Sequence, residues 1–392
     1  MINYDNVLSM RAAGIKPSGI RKFFDLLDGR DDVISLTVGQ PDFVTPWHIR
    51  EKAIRSIEDG KTYYTANSGL PELRRAIADY LNRRFSLSYD SKNEIIVTVG
   101  GSEAIDMAMR AIIDPGDEVI IPMPSYVCYE PMTQLLGAVP VTINTKSENA
   151  FKLTAQELKK AITPRTKALI LPFPNNPTGA VLDAEDVKEI AEVLKDTDIA
   201  VISDEIYAEL TYGRRHVSIA SVPGMRERTV LVSGVSKAYA MTGWRLGYIA
   251  APKEITRQIL KIHQYAIMCA PTASQFAAVE AFDNSDEDIE YMRAQYNRRR
   301  TMLLEGLETI GLPCFEPRGA FYVFPQVMQD CKMTSEEFCN RLLNENSLAI
   351  VPGTAFGDCG EGFARLSYAY SVRHIAVALE RLEDFVKKLG HN

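Results

Sequence analysis

Seven short apolar runs punctuate the chain: EIIVTV (residues 94–99), EVII (118–121), VPVTI (139–143), KALIL (167–171), IAVIS (199–203), TVLVS (229–233) and LGYIA (246–250). A strand without polar alternation is covered on both faces, and such strands separated by helices read as a largely parallel sheet between helical layers. Residues 183–194, DAEDVKEIAEVL, open with acidic side chains, which suit the positive end of a helix, and set Val187, Ile190 and Val193 on one face. Gly116 in DPGDEV (114–119) supplies the permissive backbone of a turn before the second run. After about residue 282 the pattern changes to a long polar helix, NSDEDIEYMRAQYNRRRTMLLEGLETIG, followed by short strand-like pieces and terminal helices. These signals predict an α/β chain with a large domain over residues 46–282. A smaller α+β domain comprises 283–392 together with 1–45, packed rigidly or with a slight hinge.

Composition narrows the function. A length of 392 residues exceeds one ordinary core and favours two packed domains. With 46% apolar and 24% charged residues the chain is of the soluble globular type. A net charge of −7 with both signs interspersed gives no basic stripe, which argues against nucleic-acid binding and for small-molecule chemistry. Cys128, Cys269, Cys314, Cys331, Cys339 and Cys359 form no CxxC pair, so they read as reduced cytosolic thiols and not as zinc ligands or a disulfide framework. His48, His216, His263, His374 and His391 are too dispersed for a metal site. The polar N-terminus, broken by Gly and Pro, is unlike a signal peptide, and no segment has the length of a membrane span, so the expected location is cytoplasmic.

The most informative chemistry lies in residues 233–247, SGVSKAYAMTGWRLG, between the last two runs. Lys237 offers an amine that can condense with a carbonyl, and Arg245, eight residues on, a fork that can hold a phosphate. A Ser-Lys pair alone reads more plainly as a solvated loop. The full pattern of Gly234, Ser236, Lys237, Gly243, Arg245 and Gly247, however, resembles the cofactor-attachment signature of class I aminotransferases in the aspartate aminotransferase superfamily. The resemblance extends over residues 35–369, most closely to the bacterial aspartate and aromatic branch. It implies the fold type I architecture of pyridoxal-phosphate-dependent transferases, with a mainly parallel seven-stranded sheet and a smaller α+β domain. It also implies a homodimer, pyridoxal 5′-phosphate as cofactor, and Lys237 holding that cofactor as a Schiff base.

Further residues take implied roles by matching family motifs. Gly100, Gly101 and Ser102 precede the helical run EAIDMAMRAII, where exposed amides and a positive helix end can cradle a phosphate alongside Ser236 and Arg245. Asn176 in PNNPTG (174–179) matches the residue that bonds the cofactor's phenolic oxygen and borders the substrate. In SDEIY (203–207), Asp204 would keep the pyridine nitrogen protonated and Tyr207, one helical turn later, would tune the ring oxygen. Tyr126 in PMPSYVCY matches an aromatic that stacks on the ring, and Tyr64 in TYYTANSGLPELR a tyrosine given to the neighbouring subunit's phosphate. Arg365 in FARLSYA matches the arginine that grips the substrate α-carboxylate, with Gly39 in LTVGQPDF adding a backbone amide. PRGAFYVFP (317–325) resembles the family's small-domain hairpin.

Two positions depart from the pattern. Ser102 stands where some bacterial aspartate aminotransferases place a lysine for the distal carboxylate, which puts a strict aspartate preference in doubt. Gly234 stands where a small hydroxyl is usual, so one phosphate hydrogen bond either comes from Ser233 or is missing. The implied reaction moves an amino group from an L-amino acid to a 2-oxo acid, with 2-oxoglutarate the expected acceptor, in two half-reactions of a ping-pong cycle. A carbon-sulfur β-lyase shares these motifs. A ligand-sensing regulator on a degenerate aminotransferase domain is the other alternative, disfavoured by the intact lysine and the lack of an added DNA-binding region. Aspartate, aromatic, alanine and diaminopimelate-type donors all stay open, because the side-chain pocket draws on residues 15–20 and on a partner subunit.

Overall fold

The computed structural model describes residues 2–17, 19–20, 29–30, 32–327 and 333–390. After a two-residue strand β1 (Ile34–Ser35), the large sheet is built from β2 (Ile95–Thr98), β3 (Glu118–Met123), β4 (Val139–Asn144), β5 (Thr166–Leu171), β6 (Ala200–Asp204), β7 (Thr229–Gly234) and β8 (Gly247–Ala250). These are the seven apolar runs, with ends displaced by at most two residues. The spatial order is β2-β8-β7-β6-β5-β3-β4. Strands β3 to β7 pair in parallel, and β8 is antiparallel to both of its neighbours.

Alternate side chains of these strands enter different cores, as the two-residue period of a pleat requires. Val119, Ile121, Ile170, Ile202 and Val232 pack beneath helices Gly100–Ile112 and Lys253–Ala266. Their neighbours Ile120, Leu169, Leu171 and Val201 face the opposite layer, where helix Ala184–Leu194 lies. Each such side chain contributes about 1.5–3 kcal/mol on burial, and a one-residue slip would exchange the two sets, so the register is strongly specified.

Helix Ala184–Leu194 begins where its acidic opening predicts, with the Asp183 carboxylate accepting from the amides of Glu185 (3.2 Å) and Asp186 (3.3 Å). Its buried stripe is Val187, Ile190, Ala191 and Leu194, and Val193 is only half-buried. From Val187 that stripe follows positions i, i+3, i+4 and i+7, whereas i+6 falls on the flank of the helix.

The second structural layer follows the long helix Asp286–Ile310. It contains β9 (Tyr322–Val323), β10 (Leu348–Ala349), β11 (Val351–Pro352) and β12 (Ala364–Ser367), with helices Ser335–Asn346 and Val372–Gly390. Strands β11, β12 and β9 form a three-stranded antiparallel sheet, and β10 pairs in parallel with β1 from the N-terminal segment. Met292, Tyr296, Leu303, Phe338, Leu342 and Phe385 share one core there, reached from the large sheet's side by Tyr207 and Leu210. Among the described residues no helix is long and apolar enough to cross a membrane. Cys128, Cys269, Cys314, Cys339 and Cys359 are free thiols, and Cys331 lies outside the described residues.

Candidate active site

The C-terminal ends of parallel strands are where α/β sheets leave room for ligands, because the loops that follow diverge to opposite faces. Here a cavity of about 500 Å³ occupies that edge. Gly101 and Ser102 reach it from the first turn of the helix after β2, Tyr126 from beyond β3, and Asn176 from beyond β5. Asp204 ends β6, Tyr207 lies in the turn that follows, Ser236 and Lys237 follow β7, and Arg245 stands just before β8. Arg365 on β12 and Gly39 close the cavity from the small sheet's side. Of the residues singled out from sequence, Gly100, Ser233, Gly234, Gly243 and Gly247 are not on these walls, and neither is Tyr64, with 77% of its surface exposed. Ile20 from the N-terminal segment lines the cavity, and Ser18 of that segment lies outside the described residues.

Helix Gly100–Ile112 begins at the first glycine of the Gly-Gly pair, so the glycines form its first turn and do not merely precede it. The amides of a first turn have no partner within the helix and carry its positive end, which suits an anion. The approach here is close. A Cβ on Gly247 would stand 2.6 Å from the carbonyl carbon of Gly100 and 2.7 Å from the Gly101 nitrogen, and one on Gly100 would lie 2.5 Å from Arg245 Nη2. Only glycine lets β8 and the arginine fork lie against this turn. The same crowding explains Gly234, whose Cβ would meet the Gly247 Cα at 2.8 Å. Ser233 does not replace the missing hydroxyl, since it is buried off the cavity walls and donates to the Glu205 carbonyl at 3.2 Å.

Two opposed charges define the interior. The Lys237 amine donates to the Gly39 carbonyl at 2.7 Å and has its pKa lowered to about 8 by burial, with Arg365 and Arg245 adding repulsion. An amine so depressed carries a far larger neutral, nucleophilic fraction near neutrality than an exposed lysine does. Burial raises the Asp204 carboxyl above its ordinary value, while the Tyr129 hydroxyl, donating at 2.7 Å, opposes the shift. Arg365 is buried, donates to Asn176 Oδ1 at 2.8 Å and to the Thr37 carbonyl, and keeps a buried Nε without a hydrogen-bond partner. An unpaired guanidinium nitrogen is costly inside a protein and marks a place for an anionic ligand.

Tyr129 and Tyr322 had no role in the sequence reading. Tyr129 stands one helical turn after Tyr126, a spacing that could have flagged it as a second aromatic on the same wall. Tyr322 lies inside the hairpin motif PRGAFYVFP, but nothing local to that motif says which of its three aromatics enters the cavity.

These walls fit pyridoxal phosphate: a glycine-lined helix end and Arg245 for the phosphate, a buried carboxyl for a ring nitrogen, an amine for an aldehyde, and an orphan guanidinium nitrogen for a substrate carboxylate. The profile of the family described as aminotransferase class I and II matches residues 31–382, and the chain belongs to that family of pyridoxal-phosphate enzymes. It is similar to a putative aminotransferase of Bacillus subtilis, YugH, at 53% identity over 95% of this chain and 97% of that one. A probable N-acetyl-LL-diaminopimelate aminotransferase of the same organism is 47% identical over 98% and 97%. Among solved structures, an aromatic aminotransferase from Pyrococcus horikoshii superposes with a TM-score of 0.90 at 44% identity, covering 95% of this chain and 99% of that one. The fold type I architecture and aminotransferase activity expected from the resemblance therefore hold, with amino and 2-oxo acids as substrates.

Proposed function

We propose that the chain is a homodimeric, cytoplasmic aminotransferase that runs a ping-pong cycle through Lys237, from an L-amino acid donor to 2-oxoglutarate as acceptor. The observation that carries this reading is the Lys237 amine, buried and depressed to about 8, facing one cavity with Asp204, Asn176 and Arg365. When bound, pyridoxal phosphate supplies an aldehyde for amines and a ring that accepts electrons from the substrate Cα. Lys237 would hold that aldehyde through its amine and, once the donor had taken its place, would act as the free amine that moves the substrate's Cα proton. Asp204 shares a proton with the ring nitrogen. Burial raises its carboxyl above the ordinary value, and a protonated ring nitrogen beside it would offset that burial by favouring the carboxylate.

Gly101, Ser102, Ser236 and Arg245 take the phosphate, Tyr126 covers one ring face, and Asn176 with Tyr207 holds the ring oxygen. Arg365 and the Gly39 amide hold the α-carboxylate of each substrate in turn, so donor and acceptor use one site. Residues 46–282 form the cofactor-bearing domain, and 1–45 with 283–392 the small one. The dimer is supported by exposed Tyr63, Tyr64, Tyr265 and Met268, whose two segments are tied by the Asn67 side chain donating to the Met268 carbonyl at 2.9 Å. In that reading Tyr64 reaches the neighbouring phosphate.

Replacing Lys237 with Ala removes both covalent link and proton carrier. We expect turnover to fall by about 10⁴-fold or more, with loss of the visible absorbance of the lysine-bound cofactor. Transamination within tenfold of the parent would overturn the assignment. Product analysis of the parent separates the β-lyase alternative: a 2-oxo acid with the donor's carbon skeleton supports this reading, and pyruvate, ammonia and thiol would replace it.

A further inference from the structure

The side chain of Tyr322 touches three parts of the site that the preceding reading treats separately. Its ring lies against the Arg365 guanidinium, with Cζ 4.5 Å from the ring centroid, and the Phe356 ring lies 4.8 Å from the same carbon. Its hydroxyl is 2.8 Å from the Tyr207 hydroxyl. The same hydroxyl fills the space beside Gly39, where an added Cβ would come within 2.2 Å of it. Strand pairing makes this possible: Tyr322 on β9 is opposite Ser367 on β12, so it is the diagonal neighbour, on the same face, of Arg365 two residues earlier. Tyr322 is wholly buried, so neither contact competes with bulk water.

We propose that Tyr322 is a positioning residue with two separable parts, its ring fixing the plane of Arg365 and its hydroxyl setting the donor strength of Tyr207. The ring argument is steric and electrostatic. A guanidinium grips a carboxylate through two parallel hydrogen bonds only if its plane is fixed, and aromatic rings packed against it restrict its tilt. The hydroxyl argument is one of cooperativity. When the Tyr322 hydroxyl donates to the Tyr207 oxygen, the Tyr207 proton is free for a second acceptor and is donated more strongly. With Tyr207 directed at the cofactor's ring oxygen, stronger donation draws charge off that oxygen and weakens its hold on the neighbouring proton of the lysine-bound cofactor. The inference rests on the assignment of Tyr207 and Arg365 to cofactor and carboxylate.

Two variants of the full-length holoenzyme divide the roles. Tyr322→Phe keeps the ring and removes the hydroxyl. Its resting enzyme, without substrate, should show the pH midpoint of the visible cofactor band moved upward by about half a unit or more, with donor KM within about twofold of the parent. Tyr322→Leu removes the ring as well, and donor KM should rise about tenfold or more. A Tyr322→Phe band midpoint within about a tenth of a unit of the parent overturns the proposal by itself, so it does not depend on the leucine variant folding. A folded Tyr322→Leu enzyme with unchanged KM overturns the ring's part. Should the parent protein take up no pyridoxal phosphate, the parent reading fails first. A parent that binds and turns over normally, beside a Tyr322→Phe variant that shifts nothing, fails this inference alone.

Discussion

Asp204, Lys237, Asn176 and Gly101 all stand at or within five residues of the end of a strand in one seven-stranded sheet. Arg365 and Tyr322 instead sit on strands of four and two residues in a sheet of three, and Gly39 on no strand. The first wall inherits its geometry from a long hydrogen-bonded ladder whose alternate side chains are anchored in two cores. The second is held by side chains: Arg365 against two rings, bonded to Asn176 and the Thr37 carbonyl, with Tyr322 filling the space beside Gly39. The difference matches the tasks. On the proposed function, the bound cofactor would be served by fixed backbone, and the carboxylate of each substrate by a wall built from side chains.

If the walls are functionally distinct, damage to each should have its own kinetic signature. The largest effect is expected at the first wall. Asp204→Asn keeps the shape of the side chain and removes its charge, and we expect the single-turnover rate with any active donor to fall about a thousandfold, with donor KM little changed. A loss below about tenfold would mean that the ring nitrogen's proton is held by something else. A smaller and different effect is expected at the second wall. Arg365→Lys keeps the charge but gives up the paired fork and the stacking plane, so donor kcat/KM should fall about a hundredfold, mostly in KM. The resting absorbance spectrum should not change; a spectrum altered as strongly as in Asp204→Asn would show that the two walls are not separable.

The two walls also differed in how far the sequence revealed them. Six of the seven strands were visible because their side chains are buried on both faces, which turns each into an apolar run; β4, at the sheet's edge, departs from this, with Ile143 its one buried side chain. The cofactor wall followed because its residues lie in contiguous motifs such as SGVSKAYAMTGWRLG, where the spacing from Lys237 to Arg245 is fixed by a single loop. The two-residue strands β1, β9, β10 and β11 are too short for any period to register. Tyr322 and Thr37 reach Arg365 only through cross-strand pairing and a loop 328 residues away, and no local pattern encodes such contacts. Of the two alternatives open at Gly234, the Ser233 hydroxyl is the one the structure turns away: at the end of β7 adjacent residues point to opposite faces, so a neighbour in sequence cannot take over a neighbour's direction.

The smallest effect expected is one of pH, and it tests the first wall without any substitution. In the apoprotein Lys237 has its pKa lowered from its ordinary value to about 8, chiefly by burial. Burial disfavours the charged ammonium, so the neutral, nucleophilic form gains at lower pH than in an exposed lysine. Below the folded pKa the amine is mostly protonated and condenses slowly; above it the amine is mostly free. The rate of visible-band formation on adding pyridoxal phosphate to apoprotein should therefore rise about fivefold from pH 7 to 8 and less than about twofold from pH 8 to 9. An exposed lysine would instead give close to a tenfold rise in each step. A profile of the second kind would place the amine in water and remove the reason for assigning Lys237 its reactivity, even if the covalent link still formed.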